Sequence, residues 1–176
     1  MRPPTNCDRF PRPAATPKKT AAATGIAAML AIATPLVAGW EGKSNDPYRD
    51  IVGVVTVCYG ETRNIENRRY SDAECDAMLK KGVGEFGEAV ALRNPELRDH
   101  PEQWAAASSL AYNVGKSAYA GSTVAKRFDA GRWRSACDNF LAWKYAGGRV
   151  VQGLLNRRNA ERRLCLTNLP KQYDKD

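Results

Sequence analysis

The sequence predicts an α+β fold, mostly helical, with one small β element near its start and an apolar helix ahead of it. Three observations lead there. Thr20 to Gly39 carries no charge and is rich in Ala. Val, Ile, Thr and Tyr concentrate in residues 46–60, DPYRDIVGVVTVCYG. From residue 71 onward, apolar side chains recur at helical spacing between Gly, Pro and Ser breaks, without alternating β-α units or an internal repeat.

The bulk numbers bound the rest. At 176 residues, 43% hydrophobic and 26% charged, the chain suits one globular domain plus a tail. A net charge of +8 admits a polyanionic partner, whether nucleic acid, a lipid surface or an acidic cell-wall polymer. Half of that charge comes from Arg2, Arg9, Arg12, Lys18 and Lys19 against Asp8, so the remainder does not demand a nucleic-acid face. None of the five cysteines forms a CxxC pair, so the usual spacing of a zinc site is missing, and no cofactor is expected. Cys58, Cys75, Cys137 and Cys165 are an even set that suits disulfides in an oxidising compartment. Buried free thiols are the other reading of them.

Residues 1–19 read as a basic cytoplasmic tail, 20–39 as a weakly hydrophobic signal-anchor segment, 40–168 as the globular domain and 169–176 as a C-terminal tail. The apolar run spans roughly 30 Å as a helix, the thickness of a bilayer core, and its basic flank predicts a cytoplasmic N-terminus. Ala, Gly25, Thr24, Thr34 and Pro35 dilute Ile26, Leu30, Ile32, Leu36 and Val37, so insertion is only marginally favourable. Three readings stay open: a signal peptide cut near Ala38, an anchor, or a buried helix of the soluble domain.

In the globular part, residues 46–60 predict short strands turning at or near Val52-Gly53. Ser71-Asp72-Ala73-Glu74 has capping-box spacing and starts a helix to about Leu92, with Met78, Leu79, Val83 and Phe86 on one face. Asn94-Pro95 and His100-Pro101 break the chain. A helix from about Glu102 to Asn113 carries Trp104, Ala107, Leu110 and Ala111 inward, and Gly115 ends it. Ser122 caps a helix to Asp129, another runs from about Arg132 to Lys144, and the last spans about Val150 to Leu166 with Val151, Leu154, Leu155 and Leu164 inward. Arg157, Arg158, Arg162 and Arg163 on that helix admit a nucleic-acid face; a solvated surface is the simpler reading.

Two carboxylates bracket the β element, Glu41 and Asp50, and Thr56 follows. Glycosidic cleavage needs such a set: one carboxyl that donates a proton to the leaving oxygen, and one that stays ionised to activate water or stabilise the transition state. Glu41, beside Trp40 and an apolar helix, suits the first role. Asp50, among polar strand residues, suits the second, and Thr56 offers a hydroxyl to orient the water. Acids at this spacing are common, however, and a helix-end Glu beside a turn Asp is the bland reading.

WEG, YRD, GVVT and CYGET in this order resemble the catalytic block of the phage-type lysozymes, glycoside hydrolase family 24, whose motif is Glu, eight residues, Asp, five residues, Thr. Glu41, Asp50 and Thr56 fit it without a gap. The resemblance continues through LAYNVGKSAYAGSTVAKRFDAG and ACDNFLAWKYAGGRVVQGLLNRRNAERRLCL, covering roughly residues 40–166. It implies a small β lobe and a larger helical lobe with a cleft between them, cutting the β-1,4 bond between N-acetylmuramic acid and N-acetylglucosamine in peptidoglycan. Glu41 would be the general acid, Asp50 the second carboxylate and Thr56 the water-positioning partner. Tyr112, Asn113 and Ser122 fall where relatives line the sugar groove, with packing and helix ends as their bland roles. Position 61, often His in relatives, is Glu61 here, which puts the local ion pair in doubt.

The Ala- and Gly-rich start resembles that of signal-arrest-release endolysins, which are exported tethered and inactive, then released when the membrane depolarises. Cleavage at Ala38 would remove the helix that holds Glu41. The resemblance therefore implies that one segment serves first in the bacterial inner membrane and later in the fold of a monomeric periplasmic enzyme. It also implies cooperation with a holin or pinholin. The pairings expected within this picture are Cys58 with Cys75 and Cys137 with Cys165, leaving Cys7 over. A membrane-tethered, inactive wall-binding protein of the same fold is the alternative.

Overall fold

The computed structural model describes residues 19–50 and 52–173, with side chains of the first helix described from residue 25 onward. The expected tail up to Lys18, with Cys7, and the last three residues of the C-terminal tail lie outside the described residues.

Helix α1, Lys19–Ala38, contains Pro35 and leads into the globular part. Its Met29, Ala33 and Val37 are fully buried at four-residue spacing, the period that puts side chains on one helix face. That face lies against α2 (Asp72–Arg93) and α3 (Pro101–Val114). Small residues permit the close approach. A Cβ at Gly87 would overlap the Met29 methyl, and one at Gly25 would stand 2.6 Å from the Arg98 carbonyl oxygen. Among the described residues no helix is long and apolar enough to cross a membrane.

Strands β1 (Ser44–Arg49) and β2 (Val55–Cys58) form the expected antiparallel hairpin, with Tyr48 opposite Thr56. Gly53, at φ +83°, makes its turn. The capping box that starts α2 is complete: the Ser71 hydroxyl accepts from the Glu74 N–H, and the Glu74 carboxylate accepts from the Ser71 N–H at 2.8 Å. Of the four residues expected on the inner face of α2, Leu79 and Val83 are buried, whereas Met78 and Phe86 are half-buried at a groove.

Helix α3 occupies the middle of the helical lobe, against α1, α2 and α7. Every residue from Gln103 to Ala111 is buried, a wider face than the expected stripe, because neighbours cover it on several sides. Two short helices follow, α4 (Lys116–Gly121) and α5 (Thr123–Asp129), the latter capped by Ser122 as expected. The helix expected from Arg132 to Lys144 is instead α6 (Trp133–Asp138) followed by a 3-10 turn at Asn139–Trp143. A second ribbon, β3 (Tyr145–Ala146) and β4 (Arg149–Val150), turns through Gly147-Gly148 and was not expected.

Helix α7 spans Gln152–Leu166, and here the expected inner face is corrected. Its buried residues are Arg157, Arg158, Glu161 and Cys165, while Leu154, Leu155 and Leu164 are half-buried and Val151 is exposed. Disulfides join Cys58 to Cys75 and Cys137 to Cys165, the first tying the hairpin to α2, the second α6 to α7.

Candidate active site

Glu41 stands just past the end of α1. Its N–H donates to the Val37 carbonyl at 3.2 Å, and the Trp40 N–H to the same oxygen at 2.9 Å, so the last turn of α1 sets its position. The partner of its carboxylate was not foreseen. Arg157 Nη1 donates to Glu41 Oε1 at 2.8 Å, across 116 residues of sequence.

Arg157 is itself locked in place. Its Nε donates to Glu161 Oε1 at 3.2 Å and its Nη2 to the Ser109 carbonyl at 3.3 Å. Glu161, fully buried, also accepts from the Ser109 hydroxyl at 2.6 Å and lies 2.8 Å from Arg158 Nε. Burial pushes the Glu161 carboxyl above its ordinary value, with Arg158 pulling the other way, and burial lowers Arg158. A buried charge persists only when paired and hydrogen-bonded, and α3 and α7 together supply those partners. The arginine pair read from sequence as a solvated helix face is therefore the inner support of Glu41. Arg-Arg-x-x-Glu at residues 157–161 was the available signal, since acid and bases one turn apart share a face.

Asp50 closes the β1–β2 hairpin. Its N–H donates to the Val54 carbonyl at 2.9 Å and its carbonyl accepts from Gly53 at 3.0 Å. Its Oδ1 accepts from the N–H groups of Val52 and Val54 at 3.0 and 2.8 Å. Both bonds land on one oxygen, so they fix the plane of the carboxylate while Oδ2 takes no part in them. Thr56 is buried on β2, and its hydroxyl donates to the Val54 carbonyl at 3.1 Å.

A groove of about 540 Å³ opens beside Glu41. The loop after β2 lines it with Tyr59, Glu61 and Arg63; α2 adds Glu85 and Phe86; the α3–α4 corner adds Tyr112, Asn113 and Lys116. Of the sequence-predicted residues it thus gathers Glu41, Tyr112 and Asn113. Asp50 and Thr56 sit on the hairpin outside this lining, and so does Ser122, whose hydroxyl accepts from the Ala125 N–H at 3.1 Å. Tyr112 reaches toward the Tyr59 carbonyl at 3.5 Å, and burial, then Glu41, raises its hydroxyl above the ordinary value.

Glu61 has an ion pair of its own kind. Its carboxylate accepts from Arg63 Nε at 3.0 Å and from the Arg63 and Thr62 N–H groups. Arg63 Nη1 reaches Glu85 Oε2 at 3.0 Å, joining the loop after β2 to α2 across the groove. The Arg63 guanidinium holds the Glu61 carboxyl below its ordinary value. Among the described residues no group of His, Cys, Asp and Glu is placed to hold a metal ion.

Known proteins place this arrangement. The phage lysozyme family profile matches residues 38–161. The SAR-endolysin of Enterobacteria phage P21 is 40% identical over 159 residues, which is 85% of this chain and 94% of that protein. Among solved structures, a P22 lysozyme mutant is 29% identical at a TM-score of 0.63, covering 82% of this chain and 96% of its own. The active form of the P1 phage endolysin Lyz shares the fold at a TM-score of 0.68 and 23% identity, over 83% of this chain and 93% of its own. The chain belongs to the phage lysozyme family.

Proposed function

We propose that this protein is an endolysin that hydrolyses the β-1,4 bond between N-acetylmuramic acid and N-acetylglucosamine in bacterial peptidoglycan, lysing the host cell. The observation that carries this is the Glu41 carboxyl, set on the groove wall by α1 and oriented by Arg157 at 2.8 Å. Glu41 hands its proton to the leaving glycosidic oxygen. Asp50, its plane fixed by two backbone N–H groups, serves as the second carboxylate. The Thr56 hydroxyl spends its proton on the Val54 carbonyl, which leaves its lone pairs to accept from the attacking water. Tyr112 and Asn113 take the sugar on the other wall, and Ser122 supports that wall as a helix cap.

Export and release belong to the same reading. Residues 20–39 hold the enzyme in the inner membrane with its N-terminus in the cytoplasm and its catalytic domain in the periplasm. A holin or pinholin collapses the potential, and the segment leaves the lipid intact. Supporting this, the α1 face that carries Met29, Ala33 and Val37 is core in the folded domain and cannot be in lipid at the same time. While α1 is in the bilayer, Glu41 is parted from Arg157, and the site stays incomplete.

Cell-wall zymograms test the chemistry. The expected result is clearing by the wild type, none by Glu41→Gln at equal folded concentration, and muramic acid reducing ends in the products. Equal clearing by both proteins would remove Glu41 from the mechanism, and clearing by neither would favour the inactive wall-binding alternative. Fractionation before and after dissipating the proton gradient tests release: full-length protein should move to the soluble fraction, and a shortened chain there would contradict it.

A further inference from the structure

We propose that Lys116, seated over Phe86 on the groove wall, is a subsite for a carboxylate on the peptide branch of the glycan, and so determines preference for branched over neutral substrate. This rests on the peptidoglycan reading above.

The charges in the groove single out Lys116. Its acids have their own cations: Glu41 has Arg157, while Glu61 and Glu85 share Arg63. Lys116 lines the same groove, is exposed, and has no carboxylate partner among the described residues. Gly115, at φ +94°, ends α3 and lets the chain restart as α4 with Lys116 at its first position. The turn places its ammonium 5.0 Å from the Phe86 ring centroid, and that ring lies 5.2 Å from Tyr112.

This seat holds the lysine by its ring contact, with no carboxylate among the described residues taking up its N–H donors. A cation over an aromatic face is attracted by the ring quadrupole, while the ammonium hydrogens that point away from the ring remain available to an acceptor. A neutral sugar chain offers only hydroxyl and amide acceptors. A peptide branch offers a free carboxylate on a flexible stem, which a compact, rotatable ammonium suits better than a planar fork does. The aromatic pair Phe86–Tyr112 beside it gives the adjoining sugar an apolar wall, so the subsite reads glycan and branch together.

The test compares native cell walls with walls whose carboxylates have been converted to amides, using full-length wild type, Lys116→Gln, Lys116→Arg and Lys126→Gln. The last removes an equal charge from an exposed position on α5, outside the groove. Amidation should raise KM for the wild type and Lys126→Gln by about 1.4- to 5-fold more than for Lys116→Gln, the range of an exposed ion pair. Lys116→Arg should recover part of the discrimination, and kcat should stay level across the set. If Lys116→Gln loses as much on amidation as the wild type does, the subsite is refuted. Cleavage of neither wall by the wild type would instead sink the glycosidase reading itself, which the first comparison leaves standing.

Discussion

Replacing Arg157 with Met separates the two duties of one guanidinium. Met fills much of the volume, so what is lost is mainly three bonds: to Glu41 at 2.8 Å, Glu161 at 3.2 Å and the Ser109 carbonyl at 3.3 Å. Glu161 does not become an orphan, because Arg158 and the Ser109 hydroxyl still hold it at 2.8 and 2.6 Å. The destabilisation should therefore fall below the value for stranding a buried charge, at about 2–3 kcal/mol. For a chain of this size that lowers the melting midpoint by roughly 4–12 °C. The kinetic effect is separate. Glu41 loses the group that fixes its Oε1, and a displacement on the order of 1 Å costs about a hundredfold in rate. The assay is kcat on purified walls well below the lowered midpoint, with calorimetry on the same samples. Glu161→Gln is the control: it strands Arg158 and should destabilise by about 3–5 kcal/mol, yet it leaves the Arg157–Glu41 contact available and should cost less in kcat. A folded Arg157→Met enzyme with kcat within about twofold of wild type would refute an orienting role for the guanidinium.

Other perturbations have equally definite expectations. Gly25→Ala sets a Cβ 2.6 Å from the Arg98 carbonyl oxygen, a backbone atom that cannot swing away, and should cost about 1–3 kcal/mol in urea denaturation. Breaking the Cys58–Cys75 bridge alone, with its separation of 17, should remove about 3 kcal/mol, read without reductant as the fall in midpoint of Cys58→Ser/Cys75→Ser below wild type, with Cys137–Cys165 left intact in both. The Glu61 carboxyl is lowered in the folded protein, so its contribution is present above the unfolded value near 4.5 and is lost as pH falls through the folded value. Glu61→Gln should flatten that acid limb of the stability profile, and an unchanged limb would show that Arg63 and Glu85 carry it without Glu61.

The sequence was most legible where one residue type has one local job. Ser71 and Glu74 announced the start of α2, Gly53 the hairpin turn and Ser122 the start of α5, because caps and turns depend on neighbours a few residues away. Long-range partners were opaque. Nothing near Glu41 in sequence indicates Arg157, and the buried arginines of α7 look like a solvated face until α3 is laid against them. The break between α6 and the 3-10 turn was missed for the same reason: Asn139–Trp143 has helical periodicity, and only its place among α5, α6 and α7 decides otherwise. Phe86 illustrates the middle ground. Its spacing correctly put it on the apolar side of α2, but which apolar residues become core and which become groove depends on where the loop after β2 lies.

The same distinction bears on α1. A helix made chiefly to stay in lipid gains from large apolar residues all round, whereas this one presents Gly25, Met29, Ala33 and Val37 along a single stripe and buries the last three against α2 and α3. Alanines and glycine give up transfer energy but let helix backbones come close, which is what a core-forming face requires. On the proposed release route, a composition that looks like a poor anchor is the one that lets the soluble state compete. Ala33→Leu tests this, because it raises the preference for lipid while overfilling a fully buried position. The variant should remain in the membrane fraction after the gradient is dissipated. Release equal to wild type would mean that the core does not decide where this helix resides.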